Sequence, residues 1–298
     1  MSDRQGEVAT VAGVRVERVR VAEGVALHVH RWDGDGSPFL LVHGLASNLH
    51  LWDGVAAGLA GRGHAVVAVD LRGHGESDKP DDGYDMTAVT DDLIELVAAL
   101  GVDRPVAVGQ SWGANLVLEL GWRSPELVRG VACVDGGWIE LQRSFPTWDE
   151  CARAMAPPST AARSAGDLEA ELRAHHPDWP EPGIAGALAC YERRPDGTVR
   201  PWLELHHHLA ILRSLWEHQP SARYREVKVP VLLVPAEPDP EADASWARDR
   251  HRQVEEAATE LPKVRVRWMK GDHDLHAQHP EQVAELLHGA VIDGFFAP

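Results

Sequence analysis

Two kinds of apolar patterning share this chain. Val14–Val21 and Val25–Trp32 alternate apolar and polar residues with period two around Ala22-Glu23-Gly24, the pattern of two half-exposed strands joined as a hairpin. Farther on, Phe39–Val42, Ala65–Val69, Val106–Val108, Val131–Val134 and Val229–Val234 are almost continuously apolar, and Val264–Trp268 is read as a further run, interrupted by Arg265 and Arg267. Runs of that kind suit strands covered on both faces, as in a mostly parallel sheet between helices. Between two of them, Val89, Leu93, Leu96, Val97 and Leu100 fall on one helical face, with Asp85 placed to cap the helix and Gly101 to stop it. Further helices are expected over about Gly113–Arg123 and Pro280–Ile292. Strand and helix in alternation predict an α/β fold.

From about Gly137 to Glu226 that rhythm breaks. The stretch has no buried run, but it carries Trp138, Trp148, Trp179, Trp202 and Trp216, the pair His175-His176 and the run His206-His207-His208. Leu203, Leu209, Ile211, Leu212 and Trp216 show helical spacing. The expectation is a helical lid inserted between two strands, dividing the 298 residues into a core segment 1–136, the lid 137–226 and a second core segment 227–298.

Charge removes several function classes. With 46 Asp+Glu against 29 Lys+Arg the formal net charge is -17, which repels nucleic-acid backbones and anionic membranes. No stretch is long and apolar enough for a membrane span, and Met1–Thr10 lacks a basic region followed by an apolar one. Cys133, Cys151 and Cys190 are odd in number and have no CxxC spacing, which fits a reducing compartment. The reading is a cytoplasmic monomer or homodimer acting on a small molecule.

Chemistry concentrates at Gly109-Gln110-Ser111-Trp112-Gly113, directly after one buried run and before a helical pattern. In a strand-to-helix turn of this kind the serine is strained and exposed at the sheet's carboxyl edge, and the helix N-terminus favours developing negative charge. With this motif the chain resembles the α/β-hydrolase superfamily, and the resemblance covers nearly all of it. Leu41-Val42-His43-Gly44-Leu45 is similar to the family's H-G-x segment, and Asp70-Leu71-Arg72-Gly73-His74-Gly75-Glu76-Ser77 to its loop after the fourth strand.

The resemblance implies an eight-stranded sheet with a lid between the sixth and seventh strands. It also implies a nucleophile Ser111 and an oxyanion hole from the NH groups of Leu45 and Trp112. A nucleophilic serine needs a base oriented by a carboxylate, in the family's chain order Ser, acid, His. Gly271-Asp272-His273-Asp274-Leu275-His276 follows the last strand, so His273 is the expected base, with His276 next. Asp239 in Pro235-Ala236-Glu237-Pro238-Asp239 is the expected acid. Asp135, after Cys133-Val134, is the alternative, and Glu237 a third.

Trp112, Trp138 and His43 are the expected pocket residues, although His43 also suits a structural role in its turn. Neighbours on a helix point about 100° apart, so His206-His207-His208 do not converge on one ion, and no metal or other cofactor is expected. The function expected is hydrolysis of a small to medium uncharged ester, lactone or thioester through an acyl-enzyme. Alternatives are elimination, acyl transfer or perhydrolysis at the same site, or a ligand receptor on the same fold. Haloalkane dehalogenases and epoxide hydrolases of this fold use an aspartate nucleophile, which disfavours both.

Overall fold

The computed structural model describes residues 9–11, 13–157, 163–237 and 244–297. The chain opens with β1 (Ala9–Val11), β2 (Val14–Ala22), β3 (Val25–Trp32) and β4 (Gly36–Val42), then α1 (Asp53–Ala60), β5 (His64–Val69), α2 (Met86–Leu100), β6 (Val106–Gln110), α3 (Trp112–Arg123) and β7 (Gly130–Val134). Next come α4 (Leu141–Ser144), α5 (Trp148–Ala154), α6 (Ala165–His175), α7 (Glu181–Leu188), the short strands β8 (Tyr191–Arg193) and β9 (Val199–Pro201), and α8 (Leu205–Glu217). The chain returns through β10 (Val231–Val234), β11 (Ala236–Glu237), α9 (Ala244–Glu260), β12 (Val264–Val266), β13 (Met269–Lys270), α10 (Leu275–Gln278) and α11 (Pro280–Ile292).

The main sheet runs β1-β2-β3-β5-β4-β6-β7-β10-β12. The hairpin read from the period-two segments pairs antiparallel, Val16 opposite His30 and Val19 opposite Leu27. From β5 to β12 every pairing is parallel. The continuously apolar runs have the predicted cause. Along β4, Leu40 and Val42 pack into one core layer while Phe39 and Leu41 pack into the other, on the opposite face of the sheet. Each such buried side chain contributes about 1.5–3 kcal/mol of apolar burial. Asp85 caps α2 by accepting the Ala88 NH, and Gly101 ends it in the left-handed conformation at φ 61°.

Two features differ from expectation. Ala9–Val11 adds a ninth strand, paired antiparallel to β2. The segment between β7 and β10 is not purely helical, because β8 and β9 form an antiparallel hairpin. Its turn, Pro195-Asp196-Gly197, places Gly197 at φ 83°, and Asp196 accepts the Thr198 NH at 2.9 Å. Among the described residues no helix is long and apolar enough to cross a membrane.

Strand order fixes where a ligand binds. After β4 the chain adds β5 on one side and β6 on the other, so the carboxyl ends of β4 and β6 flank the point where the order reverses. In open α/β sheets ligands bind at that crevice. Here β4 leads into His43-Gly44-Leu45, and β6 into Ser111.

Candidate active site

Ser111 is the residue between β6 and α3, at φ 54° and ψ −119°. A non-glycine residue held there carries about 1–3 kcal/mol of strain, and the surroundings enforce it. Its NH donates to Val134 O at 3.0 Å, tying the turn to β7. The flanking glycines are steric requirements: a β-carbon at Gly109 would collide with the Gly113 carbonyl, and one at Gly113 with the His43 carbonyl. Ser111 therefore stands half-buried at the start of α3.

The β4 loop lies against it. A β-carbon on Gly44 would sit 3.1 Å from Ser111 Cβ, which brings the chain entering Leu45 alongside the hydroxyl. Trp112 is the first residue of α3, so its NH has no acceptor in a preceding turn. His43 is fully buried and engaged at both ring nitrogens, by Gly44 O at 2.7 Å and the Leu71 NH at 3.0 Å. It locks the turn rather than facing a ligand.

His273 reaches the same edge from the loop after β13. Its carbonyl accepts from Gln110 Nε2 at 3.1 Å, so the side chain beside Ser111 anchors the histidine loop. His273 Nδ1 lies 2.5 Å from Asp135 Oδ2. Asp135 follows β7 at φ 45°, and its carboxylate is wholly inaccessible. The other oxygen, Oδ1, accepts the Ala236 NH at 2.8 Å and forms an ion pair with Arg250 of α9. Arg250 Nε donates onward to Ala236 O at 3.2 Å.

Asp239, the acid expected first, lies outside the described residues. Asp135, the alternative, is the carboxylate that meets His273 in the structure. Glu237, at the end of β11, is exposed. His273 is held below the usual imidazole pKa, by lost hydration first; Asp274 and Asp272 oppose the shift and Arg250 adds to it.

His276 has no part in this group. On α10 it is fully buried, its ring 4.3 Å from that of Trp52, and burial pushes its pKa down to about 3.

A cavity of about 630 Å³ opens between the loop after Leu45 and the inserted segment. It is lined by Ala46, Ser47 and Lys79 from the core, and by Tyr191, Trp202 and Leu203 among others from the insertion. Trp112 and Trp138 are not among its lining residues. Trp112 is fully buried, stacked with His74 at 5.7 Å, and Trp138 packs into the core. Of the insertion's tryptophans, Trp202 faces this cavity, with Lys79 Nζ 4.9 Å from its ring centre. The histidine run disperses as its helical spacing requires: His206 meets Glu204, His207 stacks on Tyr84, and His208 reaches Met155 O.

Sequence reasoning missed Arg250, Gln110 and Lys79. Arg250 meets Asp135 from a helix that the apolar pattern did not mark, whereas Gln110 lies inside the motif itself.

A mostly parallel sheet with a strained serine at its switch point, and a histidine–carboxylate pair beside it, defines the α/β hydrolase class. The family model of the alpha/beta hydrolase fold matches residues 37–273, and the chain belongs to that family. Uncharacterised proteins of Mycobacterium bovis and Mycobacterium tuberculosis are 37% identical over 106 residues, and the match spans 31% of their length.

A 2-(acetamidomethylene)succinate hydrolase of Mesorhizobium japonicum is 30% identical over 70% of this chain and 73% of its own. A crystal structure of E-2-(acetamidomethylene)succinate hydrolase superposes with a TM-score of 0.74, at 26% identity over 94% of this chain and 99% of that one. Epoxide hydrolase A of Mycobacterium tuberculosis is 33% identical over 63% of this chain and 56% of its own.

Proposed function

We propose that the protein is a serine hydrolase that cleaves small to medium esters, lactones or thioesters through an acyl-enzyme. The observation that carries this reading is the His273–Asp135 contact at 2.5 Å, in a loop anchored by Gln110, the residue next to Ser111. His273 Nε2 takes the Ser111 proton as Oγ attacks the carbonyl carbon. Asp135 holds the proton on Nδ1 and stabilises the imidazolium. The NH groups of Leu45 and Trp112 receive the oxyanion, each typically worth about 10² to 10³ in rate. The alcohol or thiol leaves with the proton from His273, and water repeats the path on the acyl-enzyme.

A serine at the elbow favours acyl transfer over epoxide opening by an aspartate. The insertion acts as a lid, tied to the histidine loop by Trp179 Nε1 donating to Asp272 Oδ2 at 2.8 Å. The cavity adjoins the loop after Leu45, with Ser111 and His273 not among its lining residues, and its apolar walls, Trp202, Leu203 and Leu205, suit an uncharged acyl group extending from the serine.

Lys79 favours a second reading. Its ammonium donates to Gly75 O at 2.7 Å and Ser77 O at 2.9 Å, which leaves one of its three protons and its charge for the cavity it lines. A carboxylate-bearing acyl group fits this, in keeping with the succinate in the name of the Mesorhizobium relative.

Steady-state hydrolysis of p-nitrophenyl acetate beside a p-nitrophenyl hemisuccinate tests both readings. Turnover of either supports the hydrolase. A lower KM for the hemisuccinate that is lost in Lys79→Met supports the second reading, and tight binding without turnover of any ester points to a receptor instead.

A further inference from the structure

A group of side chains on the other side of the oxyanion loop takes no part in the chemistry above. His30 on β3, His50 in the single turn Leu49–Trp52, and Asp53 at the start of α1 each offer a ligand atom, all within 4.8 Å of one another. The rings of His30 and His50 are 5.0 Å apart and nearly perpendicular. His28, two residues before His30 and so on the same face of β3, places Nε2 3.3 Å from His30 Nε2 and orients that ring.

A second observation falls on Asp53. Its Oδ2 lies 2.8 Å from His50 Nδ1, but its Oδ1 is buried and has no hydrogen-bond partner among the described residues. An unsatisfied buried carboxylate oxygen costs free energy that a cation would recover. Access exists, because His50, Asp70 and Glu76 together line a cavity of about 370 Å³.

We propose that His30, His50 and Asp53 bind one divalent transition-metal ion of the zinc class, with solvent completing its coordination. Two imidazoles and a carboxylate suit zinc, whereas magnesium and calcium prefer oxygen ligands throughout. The ion would clip β3 to the turn that leaves the oxyanion loop. Motif spacing gave no sign of this site, since its ligands come from three elements and match no metal-binding pattern.

The test is equilibrium titration of the chelator-stripped full chain with Co²⁺, read by its visible ligand-field absorption, followed by competition with Zn²⁺. One ion per chain should bind with a Kd below about 100 μM. His30→Gln and Asp53→Asn should each weaken binding at least tenfold, on the order of the loss seen when metal-site residues are changed. His206→Gln should leave binding unchanged, and p-nitrophenyl acetate turnover should survive in His30→Gln. Should His30→Gln fail to fold, Asp53→Asn carries the comparison. Absence of a site in this range, or equal affinity in the wild type and both ligand variants, would overturn the proposal.

Discussion

Replacing Asp135 with asparagine separates the two candidate acids. Asparagine keeps the shape of the side chain but turns one oxygen into an NH₂ donor. The Oδ1 position already receives two donors, the Ala236 NH at 2.8 Å and the Arg250 guanidinium, so the amide oxygen must stay there. The NH₂ group then faces His273 Nδ1 across the 2.5 Å contact. Two donors in that position force the His273 proton onto Nε2, the nitrogen that has to accept from Ser111. Locking the wrong tautomer of a catalytic histidine costs about 10⁴ in kcat, or roughly 5.4 kcal/mol of transition-state stabilisation. The assay is kcat on a p-nitrophenyl ester, with circular dichroism to confirm folding, for Asp135→Asn and Asp239→Asn side by side. The expected result is a loss of about 10⁴ for the first and a few-fold change for the second. A variant of Asp135 within tenfold of wild type, or the large loss appearing at Asp239, would refute the reasoning.

Ser111→Gly should abolish turnover yet raise the urea midpoint by an amount equivalent to about 1 kcal/mol, because glycine tolerates φ 54° without the serine's strain. An unchanged or lower midpoint would contradict the strain argument. The His273 pKa lies below its ordinary 6.5, so the acid limb of kcat/KM should fall below pH 6.5. Arg250→Met removes a cation that holds the imidazole down, so the limb should move to higher pH; an identical profile would exclude that influence.

His276 is neutral in the fold down to about pH 3 but titrates near 6.5 when unfolded, so the unfolded chain binds the extra proton between those values. Wild-type stability should therefore fall as pH drops from about 6.5 toward 3, by up to about 1.4 kcal/mol per pH unit from this group. His276→Phe, which keeps a ring against Trp52, should flatten that slope in urea unfolding measured at pH 7, 6 and 5.

What could be read in the sequence follows from how local each cause is. The sheet was legible because burial on both faces demands apolar residues at every position of Val131–Val134 and Val231–Val234, and no long-range knowledge is needed to see that. The Ser111 turn was legible because its steric needs lie within two residues. The partner of His273 was not. In sequence both Asp135 and Asp239 come after an apolar run and before His273, the family's chain order, and only the parallel pairing of β7 with β10 brings Asp135 under the histidine loop. The tryptophans were misplaced for a related reason: adjacency to Ser111 in sequence suggested Trp112 as a pocket wall, but the first turn of α3 aims that ring into the core. Lys79 and Trp202 meet at the cavity from positions 79 and 202, with no signal shared between them.

An activated nucleophile at Ser111 must react with an electrophile aimed at serine. Incubation with a fluorophosphonate probe, followed by mass spectrometry of the digested chain, tests it most directly. One phosphonyl adduct is expected, on Ser111, lost in Ser111→Ala and strongly slowed in Asp135→Asn. Folded protein that takes no label, or that is labelled at another residue, would contradict it.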